Sequence, residues 1–255
     1  MSDSIGIVIP AYQPNVETVV SYIKDIKREI RPEQIIVEYD QPEEEGKERL
    51  SAVAEVNTVE ERRGKGAAIM SGFDEMNADI LAFSDADGSV PTESLNRVVE
   101  QIREDTADVS IGSRRHPDSE IVAHQTVTRR FLGDIFAGCA KWMLPTRCRD
   151  YQCGAKAVRA TAWESIGHHC YEPGFAWDME LVSVAGALGY DIAEVPITWE
   201  DRPQSTVDPV STPVELASAL IDVRRRTTTI ANSPRYVNVN QTSESTLTTV
   251  ADGDD

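Results

Sequence analysis

The chain has 255 residues, of which 43 are acidic and 25 are basic, so its formal net charge at pH 7 is −18. This charge excludes a protein that binds nucleic acid through a basic face, and it argues against adhesion to an anionic membrane by charge. The length allows one large domain, and a hydrophobic share of 40% is too high for a disordered chain.

The first half of the chain alternates short apolar runs with segments in which apolar residues recur at helical spacing. The runs predict strands over 5–9, 35–39, 51–59, 80–84 and 109–112, and the spacing predicts helices over 16–30, 66–76 and 92–103. Strands that alternate with helices in this way pair mostly in parallel. We therefore expect an α/β protein whose mostly parallel central sheet has helices on both faces.

The second half of the chain is predicted to be mixed. Helices are expected over 126–144, 177–188 and 213–231, and strands over 153–158 and 192–199. Residues 1–231 would then form a single domain, and 232–255, which are rich in polar and acidic residues, a disordered tail. The helix over 213–231 either packs on the domain or lies at a lipid interface, where the arginines at 224–226 would help.

We expect a cytoplasmic protein whose membrane contact, if any, is peripheral. The first residues lack the basic region of a signal peptide, and no apolar run reaches the ~18 residues that cross a bilayer. The cysteines form no CxxC pair, and the two histidines beside Cys170 are weak grounds for a zinc site. Reduced thiols are the better interpretation for Cys139, Cys148, Cys153 and Cys170.

The basic residues also indicate the solvent in which the protein works. Only 6 of the 25 are lysines, and the other 19 are arginines. An acidic surface repels itself in dilute salt, whereas at 1 M salt the Debye length falls to about 3 Å and the repulsion is largely screened. Heavy acidity with few lysines therefore predicts a halophilic source, and an ordinary acidic mesophilic protein is the alternative.

The clearest chemical feature is Asp85-Ala86-Asp87-Gly88, which comes directly after the apolar strand over 80–84. Ligands of parallel sheets bind beyond the carboxyl ends of the strands. Two carboxylates one residue apart supply oxygen ligands for a hard divalent cation, which would in turn neutralise a diphosphate. The alternative is a polar turn in which an aspartate caps a helix.

With this motif in place, the chain resembles the family 2 glycosyltransferases of the GT-A fold, near the dolichyl-phosphate mannose and glucose synthases. The resemblance covers about residues 5–205. It rests on eight blocks in order: Val8 to Tyr12, Ile35 to Val37 leading to Asp40, Arg63 to Gly66, Asp85 to Gly88, Ile111 to Arg114, Asp150 to Lys156, Phe175 to Glu180, and Glu194 to Ile197 with Trp199.

The resemblance implies a donor site for a nucleoside diphosphate sugar. Its implied members are Pro10, Ala11, Tyr12, Asp40, Lys65, Asp85, Ala86 and Asp87. Among them, Asp85 and Asp87 would hold a magnesium or manganese ion. A lysine at a helix N-terminus also suits an anionic group on electrostatic grounds. The alternatives are a turn-initiating aspartate for Asp40 and a solvated loop charge for Lys65.

The resemblance further implies a site for the acceptor and its phosphate. Its implied members are Arg114, Arg130, Gln152 and Arg202, with Arg129 as a weaker candidate. Arginine suits this role because it pairs with phosphate through two hydrogen bonds. Each of these arginines has a surface salt bridge as its alternative, and Gln152 has a packed strand as its alternative.

Asp178 is the implied catalytic carboxylate, together with Asp87 at the metal, and Glu180 lies in the same block. A carboxylate at the transfer point either removes a proton from an acceptor hydroxyl or steers the acceptor without proton transfer. The alternative is an aspartate that satisfies backbone N–H groups at a helix start.

Two departures from the family pattern leave the donor nucleotide open. The usual Asn-Glu after Pro-Ala-Tyr is Gln13-Pro14, and the usual Asp-Asp-Gly-Ser after the second strand reads Tyr39-Asp40-Gln41-Pro42. Both changes fall where the family recognises base and ribose.

The predicted function is that of an inverting, metal-dependent hexosyltransferase whose acceptor is dolichyl (polyprenyl) phosphate, as in lipid-linked glycan assembly for protein glycosylation. Transfer to a sugar hydroxyl of a lipid-linked glycan is the first alternative, and a catalytically inactive nucleotide-sugar-binding module is the second. A sugar nucleotidyltransferase would need a glycine-rich basic loop after the first strand, and Ala11 to Pro14 do not supply one.

Overall fold

The computed structural model describes residues 3–122, 138, 142–144, 146–200 and 211–233. The strands are β1 (Ile5–Tyr12), β2 (Gln34–Asp40), β3 (Glu55–Val59), β4 (Ile80–Ser84), β5 (Val109–Ser113), β6 (Glu120–Ile121), β7 (Ala155–Arg159), β8 (Ile192–Pro196) and β9 (Thr198–Trp199). Seven of them form one sheet in the order β3-β2-β1-β4-β7-β5-β8, and β6 pairs with β9 in a small second sheet. Only β7 runs antiparallel to its neighbours in the main sheet, so the predicted mostly parallel sheet is confirmed.

The helices cover both faces of this sheet, as expected. They are α1 (Val16–Glu29), α2 (Glu44–Ser51), α3 (Lys65–Glu75), α4 (Thr92–Arg103), α5 (Ala160–Ile166), α6 (Trp177–Ala187) and α7 (Ser211–Ala231). One apolar core joins α1, α2 and α4 to the sheet, and the other joins α3, α5, α6 and α7 to it. Helix α6 is buried from Trp177 through Ala185, which accounts for its nearly uniform apolar composition.

Several predicted elements have different bounds in the structure. The strand predicted over 51–59 is limited to β3, because Ser51 ends α2 and the amides of Val53 and Ala54 both bond to the carbonyl of Leu50. Helix α2 was missed; its first turn is acidic, and Leu50 is its buried anchor. Helix α5 and strand β6 were also missed, and most of the helix predicted over 126–144 lies outside the described residues.

The strand predicted over 192–199 divides between the two sheets. Strand β8 pairs with β5, and the carbonyl of Ile197 then accepts a bond from Glu120, so that Thr198 and Trp199 pair with β6. The predicted helix over 213–231 corresponds to α7, whose inner face buries Leu220, Val223 and Ile230. Within the described ranges, no helix is both long and apolar enough to cross a membrane.

The topology brings several segments to one edge of the sheet. Strands β1, β2, β4 and β5 end at this edge, and β7 begins there because it is antiparallel. The chain order of the strands reverses between β1 and β4, and ligands of open α/β sheets bind at such a reversal. This edge is therefore where a functional site is expected.

Candidate active site

A cleft opens at this edge of the sheet, and all eight predicted donor-binding residues line it. They are Pro10, Ala11, Tyr12, Asp40, Lys65, Asp85, Ala86 and Asp87. Arg62 and Phe175 line the same cleft, and the Arg62 guanidinium lies 4.1 Å from the centre of the Tyr12 ring. The cleft thus combines an aromatic surface, two cations and an acidic pair.

Asp40 shapes the loop that leads into α3. Its Oδ2 accepts the amides of Arg63 at 2.7 Å and Gly64 at 3.2 Å, and its Oδ1 accepts Arg63 Nε at 2.8 Å. Gly64 has a φ of +99°, a conformation that a residue with a Cβ rarely adopts. Both oxygens of the buried Asp40 carboxylate therefore accept hydrogen bonds from Arg63 or Gly64.

Lys65, the first residue of α3, connects the two sides of the cleft. Its Nζ lies 2.8 Å from Asp85 Oδ1 and 2.7 Å from Asp178 Oδ2. The other oxygen of Asp178 pairs with Lys156, whose Nζ also donates to the carbonyl of Cys153 at 2.7 Å. Lys156 and Asp178 are both buried, so each charge depends on the other for compensation.

These contacts shift the protonation equilibria of the cluster. Burial alone would raise the pKa of Asp178, but Lys156 and Lys65 hold that pKa below its usual range. Burial likewise opposes the charge of Lys65, yet Asp178 and Asp85 raise its pKa above the usual value. For Asp85, burial and the carboxylates of Asp87 and Asp178 raise the pKa against the effect of Lys65.

The acidic pair after β4 is held by its backbone. The amide of Asp85 donates to the carbonyl of Gly154 at 2.9 Å, and a Cβ at Gly154 would lie 1.9 Å from Asp85 Oδ2. Asp87 Oδ1 accepts the amide of Ser89 at 2.9 Å, across Gly88 with its φ of +64°. In the described part of the chain, no three His, Cys, Asp or Glu side chains converge as a metal site. Among the described residues, Asp85 and Asp87 thus supply part of a cation's ligands and not a complete set.

Arg114 lies at the end of β5 and is paired with a buried carboxylate. Its Nε and Nη2 bond to the two oxygens of Asp150 at 2.7 and 2.9 Å, and its guanidinium lies 5.8 Å from the Trp199 ring centre. Burial opposes the charge of Asp150, but Arg114 lowers its pKa to about 2. Gln152 donates to the carbonyl of Phe175 at 3.3 Å, which places it behind the cleft wall.

The comparison with protein families identifies the chain. The family model described as "Glycosyl transferase family 2" matches residues 6–160. The chain belongs to this family. The match ends just after β7, so it includes all eight predicted donor-binding residues that line the cleft.

Individual relatives and solved structures agree with this assignment. Glycosyltransferase AglD of Haloferax volcanii is 26% identical over 228 residues, which are 85% of this chain and 36% of the relative. Undecaprenyl-phosphate mannosyltransferase of Micrococcus luteus is 34% identical over 143 residues, 54% of this chain and 58% of the relative. Dolichyl-phosphate beta-glucosyltransferase of Dictyostelium discoideum is 28% identical over 172 residues, which are 66% of this chain and 53% of the relative. The chain thus spans between about a third and three fifths of the length of these relatives.

Among solved structures, glucosyl-3-phosphoglycerate synthase from Mycobacterium tuberculosis, in complex with Mg²⁺ and UDP, aligns with a TM-score of 0.67 at 16% identity. The alignment covers 88% of this chain and 80% of that one. Mannosyl-3-phosphoglycerate synthase from Rubrobacter xylanophilus aligns with a TM-score of 0.64, also at 16% identity. This alignment covers 88% of this chain and 73% of that one. The expected GT-A fold of this family 2 glycosyltransferase is confirmed.

Not every predicted site residue of this family member can be placed. Arg129, Arg130 and Arg202 lie outside the described residues. Asp178 lies below the cleft floor, where it is reached by Lys65 rather than by solvent. The roles predicted for the placed residues stay predictions.

Sequence reasoning gave no role to Lys156, Asp150 or Arg62. A usable signal was present for Lys156, because a lysine inside the apolar run Ala155 to Val158 is costly to bury without a partner. Glu38 in β2 carries the same signal and pairs with Arg63 at 2.7 Å. The partners themselves could not be deduced, since they lie far apart in the chain.

Proposed function

We propose that the protein is an inverting glycosyltransferase that moves a hexose from a nucleoside diphosphate sugar to a polyprenyl phosphate such as dolichyl phosphate. The observation that carries this proposal is the arrangement around Asp178, whose two oxygens are bound by Lys65 and Lys156. The names of the relatives, which specify dolichyl and undecaprenyl phosphate, support the same acceptor class.

The donor diphosphate would lie between β4 and the start of α3. The positive end of the α3 helix dipole and the ammonium of Lys65 both favour an anion there. The nucleoside would extend towards Tyr12 and Arg62. In this pose, the ammonium of Lys65 would stabilise the negative charge that develops on the departing diphosphate. Such a contact lowers the free energy of the transition state electrostatically.

Asp85 and Asp87 would hold a divalent cation, magnesium or manganese, together with the donor. Their fit is partial, because they supply carboxylate oxygens and leave positions for diphosphate oxygens. When bound, the cation neutralises negative charge on the leaving group. Lys65 Nζ bonds to Asp85 in the structure, so this lysine would change its partners as the donor enters.

The state of Asp178 favours a phosphate acceptor over a hydroxyl acceptor. A general base works best when its pKa lies near the working pH. Asp178 is buried, and its pKa is lowered by two lysines, so it is a poor proton acceptor. A lipid phosphate is already anionic near neutral pH and attacks without a base. Asp178 would then position Lys65.

The expected location and medium follow from the substrate and the charge. A polyprenyl acceptor lies in a bilayer, so we propose peripheral contact at the inner face of the cell membrane. Co-sedimentation of the protein with liposomes that contain dolichyl phosphate tests the membrane contact.

The net charge of −18 supports a salt-rich cytoplasm, because salt screens the repulsion between acidic groups. The salt-rich cytoplasm is tested by thermal unfolding, whose midpoint should rise when the KCl concentration is raised from 0.1 to 2 M.

The enzymatic test uses hexose donors carrying UDP, GDP or dTDP, each with dolichyl phosphate and Mn²⁺ or Mg²⁺. One donor should yield dolichyl-phosphate-linked hexose, and EDTA should stop the reaction. Asp87→Asn should lower turnover at least about 100-fold, whereas Asp25→Asn, on the outer surface of α1, should not. Full activity in EDTA and in Asp87→Asn would contradict the metal role. Donor binding without transfer would indicate an inactive nucleotide-sugar-binding module.

A further inference from the structure

Helix α7 is tied to the interior of the molecule by an ion pair between Arg226 and Glu180 of α6. The Glu180 side chain is fully buried, and its Oε2 accepts the amides of Tyr171 and Glu172, each at 2.8 Å. The Arg226 guanidinium also lies 4.8 Å from the centre of the Tyr171 ring. A buried carboxylate needs such partners, so Arg226 and the two amides together fix the chain at 171–172.

The residues that follow, up to Gly174, lie directly against the start of α3. The carbonyl of Pro173 accepts the amide of Ala67 at 3.0 Å. A Cβ at Gly64 would lie 2.5 Å from that carbonyl oxygen, and a Cβ at Gly66 would lie 2.3 Å from the carbonyl oxygen of Glu172. Segment 171–174 thus passes so close to α3 that a side chain at Gly64 or Gly66, the two neighbours of Lys65, would clash with it.

A continuous set of contacts thus runs from α7 to the cleft. Arg226 fixes Glu180, Glu180 fixes segment 171–174, and this segment supports the backbone on both sides of Lys65. Lys65 in turn reaches Asp85 and Asp178. Each link is a backbone contact or a charged pair, so these contacts join Glu180 to the backbone that carries Lys65.

We propose that Arg226 is a positioning residue for Lys65, acting through Glu180 and segment 171–174. This inference rests on the proposed function, because it assigns Lys65 to the donor diphosphate. Helix α7 then serves nucleotide binding although it lies outside the residues matched by the family model. Its three consecutive arginines differ in role, since Arg225 points outward and is 79% exposed.

The test measures the affinity of the purified protein for UDP, GDP and dTDP with Mn²⁺ by calorimetry, and continues with the tightest ligand. Arg226→Met should raise its Kd about tenfold, and Arg226→Lys should recover most of the affinity. The matched control Arg225→Met, one residue away, should leave the Kd unchanged. Thermal unfolding of each variant separates affinity from stability, because a purely structural role would lower the midpoint and leave the Kd of the folded protein unchanged.

A double-mutant cycle decides whether Lys65 carries the effect. In a Lys65→Met background, Arg226→Met should not weaken binding further, since the group it positions is gone. If Arg226→Met alone does not fold, Glu180→Gln/Arg226→Met, which removes both buried charges, takes its place. Equal losses in both backgrounds, or an unchanged Kd in folded Arg226 variants, would overturn the inference. A wild-type protein that binds none of the three nucleotides would contradict the proposed function and the inference with it.

Discussion

The two sides of the cleft are built from different parts of secondary structure. On the donor side, Tyr12, Asp40 and Asp85 lie at the carboxyl ends of β1, β2 and β4 or directly after them. What we call the opposite side lies below the cleft floor, where Lys156 inside β7 and Asp178 inside α6 are both buried. Strand ends leave polar groups open to a ligand, whereas interior charges need permanent partners. We therefore expect Tyr12 and Asp85 to exchange ligands, whereas Asp40 and the residues of the opposite side hold fixed positions.

The difference also separates two kinds of expected effect. A change on the donor side should lower binding or turnover while the fold persists. A change on the opposite side should first lower the free energy of unfolding, since it leaves a buried charge without its counterpart. Lys65 belongs to both sides because it bonds to Asp85 and to Asp178.

The largest expected effect is on stability, at Lys156. Replacing this fully buried lysine with methionine leaves Asp178 Oδ1 and the Cys153 carbonyl without their donor, and only Lys65 remains on the other oxygen of Asp178. Breaking one half of a buried ion pair costs about 3–5 kcal/mol. Urea unfolding of Lys156→Met should show this loss, and adding Asp178→Asn should restore part of it. Equal unfolding free energies of wild type and Lys156→Met would show that the pair is not a structural element.

The next effect is on turnover, at Lys65. Lys65→Met should lower kcat about 10²–10³-fold, because a charged donor aimed at the leaving diphosphate is lost. Lys24→Met, an exposed lysine of α1, is the matched control and should match the wild type. Steady-state rates at saturating donor measure the effect. A kcat within threefold of wild type would place Lys65 outside the chemistry.

The pair Arg114–Asp150 predicts a pH dependence of stability. The folded pKa of Asp150 is about 2, below its usual value near 3.8. The ionised Asp150 therefore stabilises the folded protein at any pH above its pKa in the unfolded chain. This stabilisation is lost as the pH falls through its pKa in the folded protein. The stability difference between wild type and Asp150→Asn should shrink by about 2–3 kcal/mol between pH 6 and pH 1. A difference that stays constant over this range would mean that Arg114 does not lower the pKa of Asp150 in the folded protein.

The smallest effect is expected at Gly154, where the two sides of the cleft meet. A Cβ there would lie 1.9 Å from Asp85 Oδ2, so Gly154→Ala should displace Asp85. We expect the Kd of the nucleoside diphosphate with Mn²⁺ to rise about tenfold. At Gly138, no atom lies within 4 Å of the added Cβ, so Gly138→Ala is the control. Equal Kd values for the two variants would show that Asp85 tolerates the shift.

The sequence predicted the donor side better than the opposite side, and the reason is physical. Apolar runs locate strands, and the carboxyl end of the strand over 80–84 pointed to Asp85 and Asp87 without a structure. Pro10 and Asp40 were assigned to the same site by the family resemblance. The partners of Asp178 could not be deduced, because Lys65 lies 113 positions away along the chain. Helix α2 was missed since acidic residues dominate it and only one large apolar side chain anchors it.

The role of Asp178 changed most between sequence and structure. The block around it suggested either a base or a steering group, and periodicity offers no means to choose between them. We expect the steering role, because its two ammonium partners hold the pKa of Asp178 low against the effect of burial. Charged residues inside apolar segments, such as Glu38 and Lys156, mark positions where such pairing is needed.

We propose that the protein transfers a hexose to a phosphate rather than to a hydroxyl. This proposal is tested most directly by measuring turnover of the wild-type protein, with its preferred donor, on dolichyl phosphate and on a dolichyl-linked monosaccharide in parallel. We predict product from dolichyl phosphate alone, with residual activity in Asp178→Asn because no proton has to be removed. Product from the lipid-linked monosaccharide alone, abolished by Asp178→Asn, would contradict the account and make Asp178 a general base.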